Sequence, residues 1–204
     1  MPAPGGARTA SQRLLELGRS RGLLRGADTD AVGATRATLS RLVAAGELTR
    51  VGRGVYSVAG AELGAHLSLV VAQQRVPRGT ICLLSALQLH GLTTQMPRAV
   101  WVMVAGNAWR PSIDYPPVRL VHATGRGLSY GVETHELDGW KVRVTSAAKT
   151  VADCFKFRRT VGLDVALEAL RDFKRKRGDM DALWRAAKVD RVQRVLRPYL
   201  EAMA

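Results

Sequence analysis

The spacing of apolar residues predicts helices at the start of the chain. Leucines recur there at helical intervals, so a first helix and its exit are expected over residues 10–25, with Gly22 ending the helix. Asp28 is expected to cap a short second helix, because its carboxylate can accept hydrogen bonds from the free amides of a first turn. Gly33 then allows a tight turn. This turn leads into a third helix.

The third helix is predicted to begin at Ala34 and to have one apolar face. Leu39, Leu42 and Val43 stand at positions i, i+3 and i+4, which places them on the same side of a helix. Gly46 is well placed to end it. The polar residues left for its start, sides and front are Thr35, Arg36, Thr38, Ser40 and Arg41.

After Gly46 the period of the pattern changes from helical to alternating. Two short strands are predicted around the turn formed by Gly52, Arg53 and Gly54. Two strands joined by a basic turn form a wing, and the order of helices and hairpin is that of a winged helix-turn-helix. We therefore predict such a domain over residues 1–59.

The polar side chains of this unit have the chemistry of a DNA-binding surface. In a winged helix-turn-helix the third helix enters the major groove and the wing lies along the backbone. Arginine can bind guanine edges or phosphates through its forked guanidinium, and threonine and serine offer compact hydroxyls. The residues predicted to contact DNA are Thr35, Arg36, Thr38, Ser40, Arg41, Arg50 and Arg53.

Charge supports a polyanionic partner. The 204 residues include 31 Lys and Arg against 17 Asp and Glu, for a net charge of +14. Such a charge favours nucleic acid, an acidic protein or an anionic membrane surface, and does not choose among them. Residues 1–58 contain nine arginines, no lysine and four acidic residues. A three-helix structural or protein-docking module, whose arginines only keep it soluble, remains the alternative interpretation.

The remaining chain has the pattern of an α+β domain with a helical C-terminal tail, predicted over residues 60–204. After a joint at residues 60–64 the predicted elements are helices at residues 66–74 and 80–89, strands at 99–104, 118–121, 132–137 and 141–144, a helix from Thr145 or Ser146 to Phe155, and three tail helices. Asp179 and Asp190 are interpreted as the starts of the last two helices. The strands suggest a small mixed or antiparallel sheet.

The tail is basic, and its most basic run has two interpretations. Residues 141–204 include sixteen basic and eight acidic side chains, whereas residues 59–140 are nearly neutral. Residues 174–177 read Lys-Arg-Lys-Arg, which could bind an acidic protein or a nucleic acid. Basic residues at a helix C-terminus are also favoured by the helix dipole, so a solvated helix end is the preferred interpretation.

Two motifs resemble catalytic ones without their context. Ser129 stands in a G-x-S-x-G match within a glycine-rich loop that leads into a strand, whereas a nucleophile elbow joins a strand to a helix. Ser146 and Lys149 form an S-x-x-K match without its partner motifs, so Ser146 is interpreted as a helix cap and Lys149 as a surface charge. No catalytic residue and no cofactor is predicted, and a serine hydrolase is the weakest alternative.

Histidines and cysteines do not form a metal-binding pattern. The four histidines are scattered, and His90 is expected to be buried and bonded to backbone or a hydroxyl. Cys82 and Cys154 lie in apolar stretches, which suggests buried thiols in a reducing compartment. Because no apolar run is long enough to span a membrane, a cytoplasmic protein without a membrane partner is expected.

Several segments resemble the AbiEi family of bacterial antitoxins, which are also transcriptional regulators. They are LSRLVAAGELTRVGRGVYSV at residues 39–58, SALQLHGL at 85–92, YPPVRLVHA at 115–123 and VRVTSAAKTVADCFKFRRTVGLDVALEALRD at 142–172. The resemblance implies a winged helix that represses its own promoter at inverted repeats in double-stranded DNA. It also implies a C-terminal domain that counteracts an AbiEii nucleotidyltransferase-type toxin, with the basic tail as the candidate region.

Residues carried over from the resemblance are limited to Arg36, Arg41, Arg50 and Arg53 in the recognition helix and wing. Two alternatives remain open: a transcription regulator without a toxin, and a basic protein-binding module for which DNA binding is incidental.

Overall fold

The computed structural model describes residues 8–52, 54–60, 66–106 and 116–203, and it is a mixture of helices and strands, as predicted. Within these ranges the helices are α1 (Ala10–Arg21), α2 (Asp28–Ala31), α3 (Arg36–Ala44), α4 (Leu67–Arg75), α5 (Leu83–His90), α6 (Arg126–Ser129), α7 (Ala147–Lys156), α8 (Arg158–Val161), α9 (Leu163–Arg175), α10 (Met180–Val189) and α11 (Gln193–Ala202). The strands are β1 (Leu24–Arg25), β2 (Leu48–Gly52), β3 (Val55–Val58), β4 (Thr80–Ile81), β5 (Val100–Ala105), β6 (Val118–Ala123), β7 (Val132–Leu137) and β8 (Trp140–Thr145).

The first three helices appear in the predicted order, with two corrections, of which the first is that α3 begins at Arg36 and not at Ala34. Helix α1 ends at Gly22, whose φ is 74°. Asp28 does not cap α2, because it lies inside the helix and its Oδ2 accepts the amide of Arg25 at 2.6 Å. The carboxylate therefore fixes the end of the preceding strand. Gly33, at φ 65°, forms the predicted turn before α3.

A three-stranded antiparallel sheet completes this unit, in the order β1-β3-β2. The predicted hairpin of β2 and β3 is confirmed, with Leu48 opposite Val58 and a bulge between Arg50 and Gly52. Residues 24 and 25 were predicted only as the exit of the first helix, and their pairing as strand β1 was not predicted. Its Leu24 pairs with Tyr56, and its fully buried side chain packs between α1 and the hairpin.

The second sheet is five-stranded and mixed, in the order β6-β5-β4-β8-β7. Strand β5 is parallel to β6, β4 is parallel to β8, and the two remaining pairs are antiparallel. The prediction of a helix over residues 80–89 is wrong at its start. Ile81 pairs with Val102 on one side and Val144 on the other, so the chain crosses the centre of the sheet before α5 begins.

Both faces of this sheet are covered. Along β5, Val100, Val102 and Val104 face one apolar cluster, and Trp101 and Met103 face another. This alternation follows from the period of two along a strand. The first cluster contains α4 together with side chains of the N-terminal unit, and the second contains the helices that follow β8.

The N-terminal unit shares its packing with the larger part of the chain. Leu23 and Val55 belong to the same buried cluster as Val71 of α4. Arg25 donates to the carbonyl of Gly139 at 2.9 Å and stacks over the indole of Trp140 at 4.2 Å. The division into domains at residue 59 remains a prediction, and these contacts describe how the two parts meet.

The C-terminal helices include one confirmed start and one correction. Asp179 caps α10 by accepting the amide of Ala182 at 2.9 Å. Asp190 does not begin the next helix: it is the C-cap of α10 and is buried. Helix α11 begins at Gln193.

The basic run at the end of α9 is partly used within the fold. Lys174 donates to the carbonyl of Met203, and Lys176 donates to the carbonyl of Gly91 at 2.7 Å and that of His90 at 3.2 Å. These lysines therefore bind the carbonyl ends of other helices, where positive charge is favourable. Arg177 is exposed and has a left-handed φ of 55°.

Cys82 and Cys154 are free and fully buried, as predicted, and burial raises the pKa of both thiols. None of the helices in the described ranges combines the length and apolar character that a membrane crossing requires.

Candidate nucleic-acid interface

Helix α3 is held by a capping box at its start and an apolar face along its length. The Thr35 hydroxyl accepts the amide of Thr38 at 3.2 Å, and the Thr38 hydroxyl accepts the amide of Thr35 at 3.4 Å. Leu39 and Leu42 are buried and Val43 is half-buried, as their spacing predicted. Two of the predicted DNA-contacting hydroxyls thus also fix the helix N-terminus.

The opposite face of α3 is exposed and basic. Arg36, Ser40 and Arg41 are all exposed. Arg41 donates to the hydroxyl of Ser11 at 3.0 Å, which places it beside the start of α1. Among the ion pairs of the described residues none involves Arg36, so its charge is open to a ligand from solution.

Helix α3 and the hairpin meet at a shallow cavity of about 820 Å³. Arg36 and Ser40 line it from the helix, and Arg50 lines it from β2 together with Asp30 and Tyr56. The Nε of Arg50 donates to the carbonyl of Gly52 at 3.3 Å, which holds the guanidinium beside the hairpin turn. Helix and hairpin thus present their basic groups on one side.

The structure therefore separates the predicted residues into three groups. Arg36, Ser40 and Arg50 lie together around the cavity. Arg41 lies towards α1. Thr35 and Thr38 stand at the helix start, and Arg53 falls outside the described residues.

This exposed helix and hairpin lie within a segment that matches a known family. Residues 12–59 match the family model of transcriptional regulators described as AbiEi antitoxins. No curated protein matches the chain.

The AbiEi match runs from α1 through β3 and includes all seven positions predicted to contact DNA. The resemblance to AbiEi regulators is confirmed over this segment. Residues 142–172, the longest segment quoted for the resemblance, lie beyond the match. The association with a toxin therefore has no direct support from it.

A buried ionic network beyond the AbiEi segment was not predicted. Lys149 is completely buried, so its interpretation as a surface charge is wrong. Its Nζ donates to Asp153 Oδ1 and lies 3.0 Å from Asp190 Oδ2, and Lys156 lies 3.2 Å from the other oxygen of Asp190. Because Asp190 ends α10, these pairs join that helix to α7. Ser146 caps α7 through the amide of Lys149 at 3.3 Å, as predicted.

Burial and pairing shift the protonation of this network in defined directions. Burial alone would lower the pKa of Lys149, but the carboxylates of Asp153 and Asp190 outweigh it and raise that pKa. Burial raises the pKa of Asp153 to about 7, against the opposing attraction of Lys149. The Oδ2 of Asp153 has no hydrogen-bond partner among the described residues, so its ionised form is poorly stabilised.

Stability is expected to depend on pH through Asp153. Its folded pKa lies above that of an unfolded aspartate, so the fold holds a proton between about pH 4 and pH 7 that the unfolded chain has released. This contribution is complete at low pH and is lost as the pH rises through 7. Relative to Asp153→Asn, the unfolding free energy of the natural protein should fall by about 1 kcal/mol per pH unit in that window.

Urea unfolding of both proteins at pH 5, 6, 7 and 8 measures this difference. The comparison cancels the contribution of His90, whose lowered pKa does not depend on Asp153. Burial is the largest cause of the raised pKa of Cys82 and Cys154, so both thiols stay protonated in the folded protein over this range. Parallel stability curves would contradict a raised pKa at Asp153.

The remaining chemical candidates have ordinary structural roles or positions. His90 is half-buried and its Nε2 lies 2.8 Å from the carbonyl of Thr145, so the predicted bond to backbone is confirmed. Burial lowers its pKa. Ser129 is exposed at the end of α6, a short helix rather than the predicted loop. No three metal-ligating side chains of the described residues come close enough to hold an ion.

The sequence did contain a signal for the buried network. Lys149 and Asp153 stand at i and i+4 in a helix whose other residues are almost all small or apolar. This spacing predicts that the two charges pair along the helix. Lys156 at i+7 extends them into a polar stripe, however, so the sequence signals the pair and not its burial. Asp190 gave no comparable signal, because its partner is 41 positions away.

Proposed function

We propose that this protein is a DNA-binding transcription regulator that represses its own promoter through a winged helix-turn-helix. The observation that carries the proposal is the exposed, arginine-bearing face of α3, capped at its start and flanked by a hairpin, within the segment that matches AbiEi regulators. In this proposal α3 is the recognition helix and β2 and β3 form the wing.

The arginines of α3 and of the hairpin are expected to make different contacts with DNA. Arg36 and Arg41 are placed on the exposed face of α3, where each can bind a guanine edge or a phosphate through two parallel hydrogen bonds. Arg50 stands at the hairpin, where a wing follows the backbone, so its contact would be to phosphate. Phosphate contacts add affinity for all DNA, and base contacts distinguish one sequence from another.

Replacing Arg36 or Arg41 by alanine should weaken binding to the protein's own promoter by about tenfold to a hundredfold, the cost of one lost bidentate contact. Binding to random duplex DNA should change much less. Arg50→Ala should weaken binding to the promoter and to random duplex DNA. It should also lower the slope of binding against salt concentration by the amount that about one phosphate contact contributes. Fluorescence anisotropy with labelled duplexes at several salt concentrations measures each effect.

Arg19→Ala is the matched control. Arg19 is exposed in the last turn of α1, and its substitution removes the same charge from the same unit. Its affinity for the promoter should stay close to that of the natural protein. If the protein binds promoter and random DNA equally well, repression at a specific operator is wrong.

We further propose that the chain beyond residue 59 counteracts a toxin of the nucleotidyltransferase type, as the resemblance of residues 142–172 to AbiEi antitoxins implies. Co-expression of the neighbouring nucleotidyltransferase gene with the Arg36→Ala/Arg41→Ala protein separates the two activities. Growth should be protected although promoter binding is lost. Loss of protection would tie neutralisation to DNA binding, and the absence of such a gene would favour a regulator without a toxin.

A further inference from the structure

A cavity of about 760 Å³ lies between the loop before α6 and the C-terminal end of α10, far along the chain from the AbiEi segment. Its size falls within the range of small-molecule sites, which is about 300–1,000 Å³. Its wall is unusually rich in cations. The side chains of interest are Arg126, Tyr130, Lys156, Arg185, Lys188 and Arg191.

The acidic residue in this wall, Asp190, pairs with only one of those cations, Lys156, at 3.2 Å. Asp190 is buried, and both of its carboxylate oxygens lie within 3.2 Å of Lys149, which does not line the cavity. Arg185 has only a long, exposed pair with Asp179, at 3.6 Å, which solvent screens. Within the described residues, the ion pairs include none for Arg126, Lys188 or Arg191. The cavity therefore has a net positive charge.

The buried network fixes the position of this wall. Lys149 binds the C-cap of α10 from within α7, and Lys156 reaches the same carboxylate from the end of α7. The backbone of α6 also lies close to the side chain of Lys156: a Cβ placed on Gly127 would be 3.1 Å from its Nζ. These contacts hold the ends of α7 and α10 together, so the cations on these helices are in position before a ligand binds.

Arg191 has a backbone conformation that its residue type does not favour. It follows Asp190, the C-cap of α10, and has a φ of 58°. The amide of the next residue, Val192, bonds back to the carbonyl of Ala187 at 2.9 Å. Glycine is the usual residue at such a helix end, because other residues are strained there. Arg177 has the same conformation at the end of α9, outside the cavity, so the strain does not by itself mark a site. At Arg191 this conformation places the arginine in the cavity wall.

We propose that this cavity binds a polyphosphate group, either free or carried by a nucleotide. Clustered guanidinium and ammonium groups match the charge and the several acceptor oxygens of such a group. A cavity of this size suits a small anion better than a duplex, which would need an extended surface. Tyr130, over which Arg126 lies at 5.7 Å, gives the cavity one aromatic wall for an attached base.

Isothermal titration of the full-length protein with sodium tripolyphosphate and with ATP or GTP tests the proposal. One equivalent of each is expected to bind, and the two should compete. Equal affinities would show that the polyphosphate group alone is recognised, and tighter nucleotide binding would show that the base and ribose contribute. Both results support the proposal, and failure of either probe to saturate at one equivalent overturns it.

Two glycine substitutions provide a matched pair. Arg191→Gly and Arg177→Gly each remove one exposed charge and relieve a left-handed backbone, but only Arg191 lines the cavity. Both should raise the melting temperature by about 2 °C. Arg191→Gly should weaken tripolyphosphate binding by about tenfold, and Arg177→Gly should leave it nearly unchanged. Equal weakening by both would mean diffuse charge attraction and would overturn the site.

Lys188→Ala gives a second measurement without a backbone change. It should weaken tripolyphosphate binding about tenfold, whereas Arg36→Ala/Arg41→Ala should not affect it, because the cavity does not depend on the proposed recognition helix. If Lys188→Ala and Arg191→Gly instead weaken binding of random duplex DNA and leave tripolyphosphate binding unchanged, the cavity wall contacts a nucleic-acid backbone and the proposal is wrong.

Discussion

Lys149→Met is expected to lower the free energy of unfolding by about 3 to 5 kcal/mol, because it leaves the carboxylates of Asp153 and Asp190 without the cation that lies between them. Both acids are buried, so water cannot replace the lost partner. Methionine keeps the length and most of the volume of the lysine side chain, so the loss measures charge rather than packing. Urea unfolding at pH 7, followed by circular dichroism, gives the value.

Two controls separate the ionic effect from other consequences of the substitution. Lys149→Met/Asp153→Leu should recover a large part of the loss, because the carboxylate that remains, Asp190, keeps Lys156 at 3.2 Å. Lys141→Met, on an exposed lysine of β8, should change stability by less than about 0.5 kcal/mol. A loss below about 1 kcal/mol for Lys149→Met would show that the network contributes little.

Trp140→Ala should also lower the free energy of unfolding by about 3 to 5 kcal/mol, because packing around the indole is lost. The indole is 5% exposed and belongs to the apolar cluster that α4 shares with the N-terminal unit. It is also the surface on which Arg25 stacks at 4.2 Å, while the same guanidinium binds the carbonyl of Gly139. Its removal therefore weakens the attachment of β1 as well as the core.

Hydrogen exchange distinguishes these two consequences. In Trp140→Ala the amides of β1 and β3 should exchange faster than in the natural protein, because their packing against the larger sheet is loosened. Trp184→Ala is the matched control: Trp184 is half-buried in the other apolar cluster, so its loss should destabilise the fold without increasing exchange in those strands. Equal exchange in the two variants would contradict a local role for Trp140.

The surface at which DNA binding is proposed includes a residue of the larger sheet. The shallow cavity beside α3 is lined by Trp140 as well as by Arg36 and Arg50. A ligand that orders this surface would therefore contact both the proposed DNA-binding unit and the larger sheet. Trp140→Ala provides a direct test of whether promoter affinity depends on that contact.

Elements with a local signal were predicted well from the sequence. The apolar face of α3 and the hairpin of β2 and β3 each depend on residues within a few positions of one another, and β7 has the predicted bounds. Gly22 and Gly46 end helices with φ angles of 74° and 72°, conformations that glycine adopts without strain. The candidate DNA-binding residues followed from this local pattern.

Elements that depend on distant partners were not predicted. Strands β1 and β4 have two residues each, too few to show an alternating period. Leu24 becomes part of a strand because Tyr56 pairs with it, and Ile81 because Val102 and Val144 lie on either side. These residues are extended because they pair with strands that are distant in the sequence. Strand propensity is read from neighbouring residues, so it does not contain this contribution.

The sequence by itself determined the α+β class, the basic character of the chain and the AbiEi-like segment, because composition, period and short-range spacing are properties of neighbouring residues. Only the tertiary structure decided which charges are buried and which remain open to a ligand. Lys149 looks like a surface lysine until α10 brings Asp190 against it, and the cavity cations come together only when the loop before α6 meets the end of α10. Burial and convergence of charge are set by packing between distant segments, so they first become visible in the fold.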